Sequence, residues 1–206
     1  LKIDQTFVRD MLDDPSDYAI IDSVIGLSDS FDRAVIAEGV ETTQHGLMLL
    51  AMGCNNAQGY GIAKPMPELK IPDWLDNYTP NHEWLDYANK SRSDKENKLK
   101  LFRLTVAQWQ KTFENNVQAS LDSNRQWPIL IRTKCHCGVW IKRARQEKLF
   151  EENSLKKLEK AHNTMHDIAD DLFEQYKEGN IKKARDGLND LSMAVEHISN
   201  VLGQCE

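Results

Sequence analysis

The stretch that most constrains the fold is residues 35–42, where three apolar residues are followed by an acid, a glycine and, after a valine, a second acid. An apolar run that ends in this way is typical of a buried parallel strand that opens into a functional loop. Helix-like sequence lies on both sides of it, and a further candidate strand ends at Gln58-Gly59-Tyr60. This alternation predicts a parallel α/β sheet or barrel. The chemistry of such folds lies at the carboxyl ends of the strands, where Glu38, Glu41 and Gln58 are expected.

Local signals predict the other elements of this first part. Leu1-Lys2-Ile3-Asp4 is expected to be a truncated strand that enters a loop, and strands are expected over residues 35–40 and near 56–60. Thr42 can cap the helix that follows the strand, and Gly53 should end that helix.

Composition and charge narrow the possible partners. The 206 residues are 40% apolar and 28% charged, which is ordinary for a globular protein. Residues 1–80 contain 5 Lys/Arg against 13 Asp/Glu, and this acidic balance favours divalent cations over a nucleic-acid polymer. No apolar segment approaches the ~20 residues of a membrane span. The chain begins at Leu1 without a signal-like segment, and its 4 cysteines do not suggest a secreted disulfide framework. We therefore expect part of a longer, cytoplasmic protein.

Three motifs resemble one family. Residues 1–8, 35–42 and 58–67, in this order and spacing, closely resemble the end of an EAL domain. The resemblance implies that residues 1–70 form roughly the last three strands of a TIM-like barrel. It also implies a phosphodiesterase that uses Mg²⁺ or Mn²⁺ to open cyclic di-GMP to linear pGpG, because such cations polarise a phosphodiester and activate water.

The same resemblance implies a role for each matching polar residue. Lys2 would hold the attacking water, and Glu38 would be a ligand of Mg²⁺ or Mn²⁺ or the general base. Glu41 and Gln58 would support the metal and the substrate. The family's Glu-Ala-Leu signature and its other metal-ligating acids are expected upstream of Leu1. Because a cation needs several converging ligands, this chain alone is not expected to hydrolyse cyclic di-GMP.

Composition changes after Pro67, and residues 71–95 are predicted to be a connector. Aromatic residues such as Trp74 and Trp84 punctuate a polar stretch there. They could form a platform on which nucleobases stack, but the acidic charge favours packing against the neighbouring domain.

From about Ser91 the sequence is helical to its end, with breaks near residues 120–128, 153–154 and 178–180. Four segments separated by short turns predict an antiparallel four-helix bundle over residues 96–206, with a possible homodimer through it. The second segment, residues 129–150, is the shortest. The other three carry heptad-like apolar seams: Leu99, Phe102, Val106, Trp109 and Phe113; Leu155, Leu158, His162, Met165, Ala169, Leu172 and Tyr176; and Ile181, Ala184, Leu188, Leu191, Val195, Ile198 and Leu202.

His162 is the polar residue in the middle seam, and His166 lies one turn further along on the same side. Such a pair can supply two ligands to one metal ion, although a lone buried histidine is more often a hydrogen-bonded core residue. Cys135-x-x-Gly138-x-Trp140, followed by His162 and His166, resembles the chemoreceptor zinc-binding (CZB) domain. The resemblance implies a Zn²⁺ ion bound by Cys135, His162 and His166 in a helical domain that accompanies chemoreceptors and cyclic di-GMP enzymes.

The chain departs from that family at Val106, where the family's first helix has a fourth ligand, a histidine. A structural zinc site prefers four protein ligands. On a helix, His136 and Cys137 would point about 100° and 200° away from Cys135, so one of them, after a distortion, or a water would take the fourth position. Less favoured candidates are His197 and Cys205. In the alternative, the site is degenerate and the helices only pack or dimerise.

The leading hypothesis is therefore the C-terminal fragment of a cytoplasmic cyclic di-GMP phosphodiesterase with a zinc- or redox-sensing helical domain. A second hypothesis is a non-catalytic helical interaction or dimerisation module. A third is an inert EAL remnant that binds nucleotide.

Overall fold

The computed structural model describes residues 1–90, 92–120 and 126–204. Within these ranges no helix is both long enough and apolar enough to cross a membrane.

The described residues form two compact units. The first comprises Leu1–Leu12 and Ser16–Asn97, and the second comprises Asp13–Pro15 and the described residues from Lys98 onward. The segment 71–95, which the sequence predicts to be a connector, groups with the first unit. The domain boundaries proposed from the sequence stay predictions.

The first unit contains a short parallel sheet. Strand β1 (Lys2–Ile3) pairs with strand β2 (Ile36–Ala37). On the other edge of β2, Ala37 N donates to Asn56 O at 3.0 Å and Gln58 N donates to Ala37 O at 2.8 Å, which makes an isolated parallel bridge at Ala57. Three chain segments therefore lie side by side, with β2 in the centre.

The strands are shorter than the sequence predicts. The strand expected over residues 35–40 is only Ile36–Ala37, because the chain turns at Gly39, where φ is +78°. The strand expected near residues 56–60 is wrong, since that segment contributes only a bridge. A Cβ on Gly59 would lie 2.3 Å from Val40 N, so glycine permits this close approach. The described residues thus show a fragment of parallel sheet, and the partial barrel stays a prediction.

Three helices lie before and after β2 along the chain, and the predicted local signals at α3 are confirmed. The helices are α1 (Gln5–Asp10), α2 (Pro15–Ser30) and α3 (Thr43–Ala51). Thr42 Oγ1 accepts a hydrogen bond from His45 N at 3.2 Å and caps α3. Gly53, with φ of +95°, follows the end of that helix.

The predicted connector contains α4 (Ile71–Asn77) and α5 (His82–Ala88). Trp84 of α5 donates its indole N–H to Thr43 O at 2.8 Å. A Cβ on Gly46 of α3 would lie 2.3 Å from the Trp84 ring, so the two helices are in close contact. The packing interpretation is confirmed for Trp84.

The second unit is helical, and its core is formed by the predicted seams. Its helices are α6 (Asp94–Gln118), α7 (His136–Gln146), α8 (Glu152–Lys177), α9 (Ile181–Asp186) and α10 (Leu188–Gly203). Every residue of the first two seams is buried, and so are those of the third except Ile181 and Leu188, which are half-buried. The apolar periodicity thus identified the buried faces correctly.

The helix boundaries differ from the predicted four-helix bundle. The second segment is helical only over α7, because Lys134 N and Cys135 N both donate to Ile131 O and form a turn before it. The break predicted near residues 153–154 lies a few residues earlier, between the end of α7 at Gln146 and the start of α8 at Glu152. The predicted last helix is divided at Gly187 into α9 and α10, and glycine is a poor helix former.

The remaining predicted breaks have different outcomes. Glu178 caps α8, and Gly179 follows with φ of +82°, which confirms the break near residues 178–180. The break predicted near residues 120–128 lies partly outside the described residues. The predicted helix start at Ser91 lies outside them altogether.

Candidate functional site

Three potential metal ligands converge in the helical unit. They are the Cys135 thiol, immediately before α7, and the His162 and His166 imidazoles of α8. One ligand atom from each lies within 4.8 Å of the others. Cys135 Sγ is 3.1 Å from His162 Nε2. The three predicted zinc ligands are therefore brought together, and they form a group that could hold a metal ion.

The sequence pattern predicts that Cys135 lies within a helix. In the structure Cys135 is instead the N-cap of α7. Its backbone is extended, with φ of −69° and ψ of 159°, and Sγ accepts a hydrogen bond from Gly138 N at 3.3 Å. The expectation that His136 and Cys137 point about 100° and 200° away from Cys135 is wrong, because it holds only within a helix. The cap conformation instead aims the sulfur back over the first turn of α7.

Gly138 permits this geometry. A Cβ at this position would lie 1.8 Å from the carbonyl oxygen of Arg132, so the preceding turn rests directly on the first turn of α7. The indole N–H of Trp109 donates to Ile129 O at 2.9 Å and secures the segment that leads into the turn. Gly138 appeared in the sequence motif, but its role as a contact surface for Arg132 is visible only in the structure.

The two histidines are fully enclosed. His162 is 2% exposed and His166 is 0% exposed, and their ring centroids are 4.6 Å apart. The Trp109 ring contacts the His166 ring at 5.0 Å between centroids. Neither ring nitrogen of His166 has a hydrogen-bond partner within the described ranges. A buried polar group without a partner costs about 1–3 kcal/mol, so this imidazole gains from a bound ligand.

The environment favours the thiolate form of Cys135. A hydrogen bond from the Cys137 thiol, reinforced by His162, holds the pKa of Cys135 well below its ordinary value, although burial opposes the shift. The hydrogen bond to Cys135, together with burial, raises the pKa of Cys137 well above its ordinary value. One sulfur is therefore a metal-binding thiolate and the other stays a protonated donor.

This asymmetry predicts the pH dependence of the metal-free chain. The thiolate absorbance that Cys135→Ser removes should persist at about pH 5, far below the ordinary cysteine pKa of about 8.5. Since the folded-state pKa of Cys135 is depressed, the stabilisation by the thiolate is complete above the unfolded pKa and is lost as pH falls through the lowered folded-state pKa. Absorbance that titrates near the ordinary cysteine pKa would contradict this assignment. Cys137→Ser, which removes the other sulfur, is the matched comparison.

No fourth protein ligand joins the group in the described residues. Val106 is 2% exposed and has no donor atom. Cys137 Sγ lies 3.8 Å from Thr105 Oγ1 and is not in the converging set. Burial lowers the pKa of His136 to about 4, and this residue is also outside the set. Among the less favoured candidates, His197 is exposed, and Cys205 lies outside the described residues.

The first unit brings a second group of polar residues together at the carboxyl ends of its strands. Lys2 Nζ lies 2.5 Å from Glu38 Oε1, and Gln58 Nε2 donates to the same oxygen at 3.2 Å. Three of the four residues implied as catalytic are therefore in contact, with Lys2 and Gln58 both bound to the Glu38 carboxylate. Glu41 is exposed and, in the described part of the chain, makes no hydrogen bond to the other three.

This strand-end group does not by itself form a site for Mg²⁺ or Mn²⁺. One of the two Glu38 carboxylate oxygens, Oε1, already accepts from both Lys2 and Gln58. Such cations need several oxygen ligands, and over the described ranges the one converging metal-ligand group is Cys135, His162 and His166.

The comparisons with known proteins support the first of the two resemblances. Residues 1–65 match the family model of the EAL domain. The chain is 41% identical over 75 residues to cyclic di-GMP phosphodiesterase PA2567 of Pseudomonas aeruginosa. That match covers 36% of this chain and 13% of the relative. It is 39% identical over 74 residues to cyclic di-GMP phosphodiesterase RocR of the same organism, covering 36% of this chain and 19% of the relative.

A third relative is cyclic di-GMP phosphodiesterase PdeR of Escherichia coli, at 35% identity over 78 residues, 38% of this chain and 12% of the relative. The chain therefore spans less than a fifth of the length of these curated relatives. The comparison with solved structures found no match. The EAL resemblance is confirmed for residues 1–65, and the CZB resemblance of the helical unit stays a prediction.

Proposed function

We propose that the chain is the C-terminal part of a cyclic di-GMP phosphodiesterase and that its helical unit is a metal-responsive regulatory domain. The observation that carries the regulatory role is the enclosed group of Cys135, His162 and His166, in which His166 has no hydrogen-bond partner within the described ranges. The EAL match at residues 1–65 supports the phosphodiesterase assignment.

Zn²⁺ is the metal that the CZB resemblance favours, and the donor set fits it. One thiolate and two imidazoles are ordinary zinc ligands, and here they come from two different elements. Metal binding would tie the start of α7 to α8. Oxidation of the Cys135 thiolate would remove a ligand and release the metal, which makes the same group responsive to redox conditions.

The first unit would supply part of a catalytic site in the whole protein. Lys2, Glu38 and Gln58 lie together at the strand ends, where parallel α/β folds place their chemistry. Glu41, which is exposed, would join them only with substrate and cation present. We place the protein in the cytoplasm, with cyclic di-GMP as its substrate.

The chain alone is expected to release no pGpG from cyclic di-GMP when Mg²⁺ or Mn²⁺ is supplied. The physical reason is that Glu38 is held by Lys2 and Gln58, and no further acid converges with it in the described residues. Chromatographic detection of pGpG checks this, with an intact EAL phosphodiesterase as the positive control. Turnover by the purified chain would overturn the assignment of an incomplete site.

The second candidate is a non-catalytic helical interaction or dimerisation module with a degenerate metal site. Val106 favours it, because this buried residue on α6 has no donor atom where the CZB family has a histidine. Metal content of protein purified without a histidine tag, together with its molar mass in solution, separates the two. A dimer that contains no metal, and whose molar mass is unchanged by Cys135→Ala, would support the second candidate.

A further inference from the structure

The number of ligands in the helical unit bears on which metal it selects. The converging atoms are one sulfur and two ring nitrogens, from Cys135, His162 and His166. Zn²⁺ in a structural site is almost always four-coordinate. Cu(I) is a soft ion that thiolate ligands select, and it accepts three ligands in a plane. The thiolate and the two imidazoles can therefore complete the coordination of Cu(I) without a fourth ligand.

The enclosure of the site opposes a solvent molecule as the fourth ligand. The three ligating residues are at most 2% exposed. Val106, Trp109 and Met165 belong to the same buried cluster as Cys135, and the Trp109 ring contacts His166 directly. A water held here by Zn²⁺ would need polar partners that apolar side chains do not offer.

Charge points in the same direction. With one thiolate and two neutral imidazoles, Cu(I) gives an uncharged complex and Zn²⁺ gives a complex of charge +1. A buried net charge is costly unless an opposite charge compensates it. Among the described residues no aspartate or glutamate is buried. Asp167 and Asp170, which share α8 with the histidines, are partly exposed and pair with Arg132.

We infer that the Cys135–His162–His166 group is selective for the monovalent soft cation Cu(I) over Zn²⁺. This rests on the proposed metal-binding role of the helical unit and specifies its ligand. The chain would then report copper, or the reducing conditions that keep copper monovalent, to the part of the protein that carries the EAL segment.

The test uses the whole chain, stripped of metal and handled without oxygen. Cu(I) buffered by a chromophoric chelator is titrated in, and zinc-loaded protein is challenged with one equivalent of Cu(I). We expect one Cu(I) per chain, release of the zinc, and an X-ray absorption spectrum of three-coordinate copper with one sulfur and two nitrogen ligands. Zinc that is retained in a four-coordinate site with protein ligands only would overturn the selectivity. Failure of either metal to bind would overturn the metal-binding role itself.

Val106→His provides an independent arm. Val106 lies one turn from Trp109 on the same face of α6, so the new imidazole would face the site. A fourth ligand should raise Zn²⁺ affinity at least about 10-fold and leave Cu(I) affinity within about 3-fold, so the preference for copper falls. Val117→His, at a fully buried position further along α6, is the control and should leave the ratio of Cu(I) affinity to Zn²⁺ affinity unchanged. Equal gains for both metals would contradict the inference, and if the variant does not fold, the coordination number of the wild-type site decides.

Discussion

Replacing Cys135 by alanine is expected to lower the affinity of the chain for its metal by at least about 100-fold. Cys135 supplies the thiolate of the converging group, and what remains is a pair of imidazoles on one helix. Two ligands from a single helix also lose the link between α8 and the turn before α7. Competition against a chromophoric chelator measures the loss for Zn²⁺ and for Cu(I).

The matched control is Cys54→Ala. Cys54 is also a buried cysteine, but it lies in the first unit, where its sulfur is 3.3 Å from Asn56 O. This variant should bind metal as the wild type does. Unchanged affinity in Cys135→Ala would mean that the cation is held elsewhere, and the degenerate-site alternative would then describe the helical unit.

Gly138→Ala is expected to have the second largest effect. The added Cβ would lie 1.8 Å from the Arg132 carbonyl oxygen, and because that atom is backbone, the turn before α7 must shift. The N-cap geometry that aims Cys135 Sγ at His162 would be lost. We expect destabilisation of about 1–3 kcal/mol from the overlap and metal affinity lower by about 10–100-fold.

Urea unfolding of the metal-free protein and metal titration of the folded protein measure these two effects separately. Gly203→Ala, at the end of α10, is the control, because a Cβ there meets nothing within 4 Å. It should be neutral or slightly stabilising, since alanine is the better helix former. Wild-type affinity in Gly138→Ala would show that the turn does not position the thiolate.

Local patterns in the sequence were reliable where a single helix decides the outcome. The seams of α6 and α8 predicted their buried residues, because a helix repeats every 3.6 residues and its buried face follows from spacing alone. The same rule placed His162 and His166 on one face. Thr42 and Gly53 marked the ends of α3, because caps act on backbone groups of neighbouring residues.

The strands were less predictable. Residues 35–40 are apolar enough for a longer strand, but β2 ends at Ala37 and the chain turns at Gly39, where φ is +78°. Beyond that strand, Glu38 N still donates to Ile3 O and Val40 N to Gln58 O, so the turn, and not a lack of neighbours, ends the extended segment. The contact between Gly59 and Val40 joins residues distant in sequence, so no local pattern announces it.

The sequence by itself determined the residue types of the candidate metal group, the spacing of its histidines, and the EAL likeness of residues 1–65. Only the tertiary structure decided that Cys135 is a cap rather than a helical residue, and that Gly138 seats the preceding turn against it. It also decided that three ligands converge without a buried carboxylate in the described residues. Helix periodicity is a property of neighbours along the chain, whereas coordination number and site charge depend on which distant segments pack together.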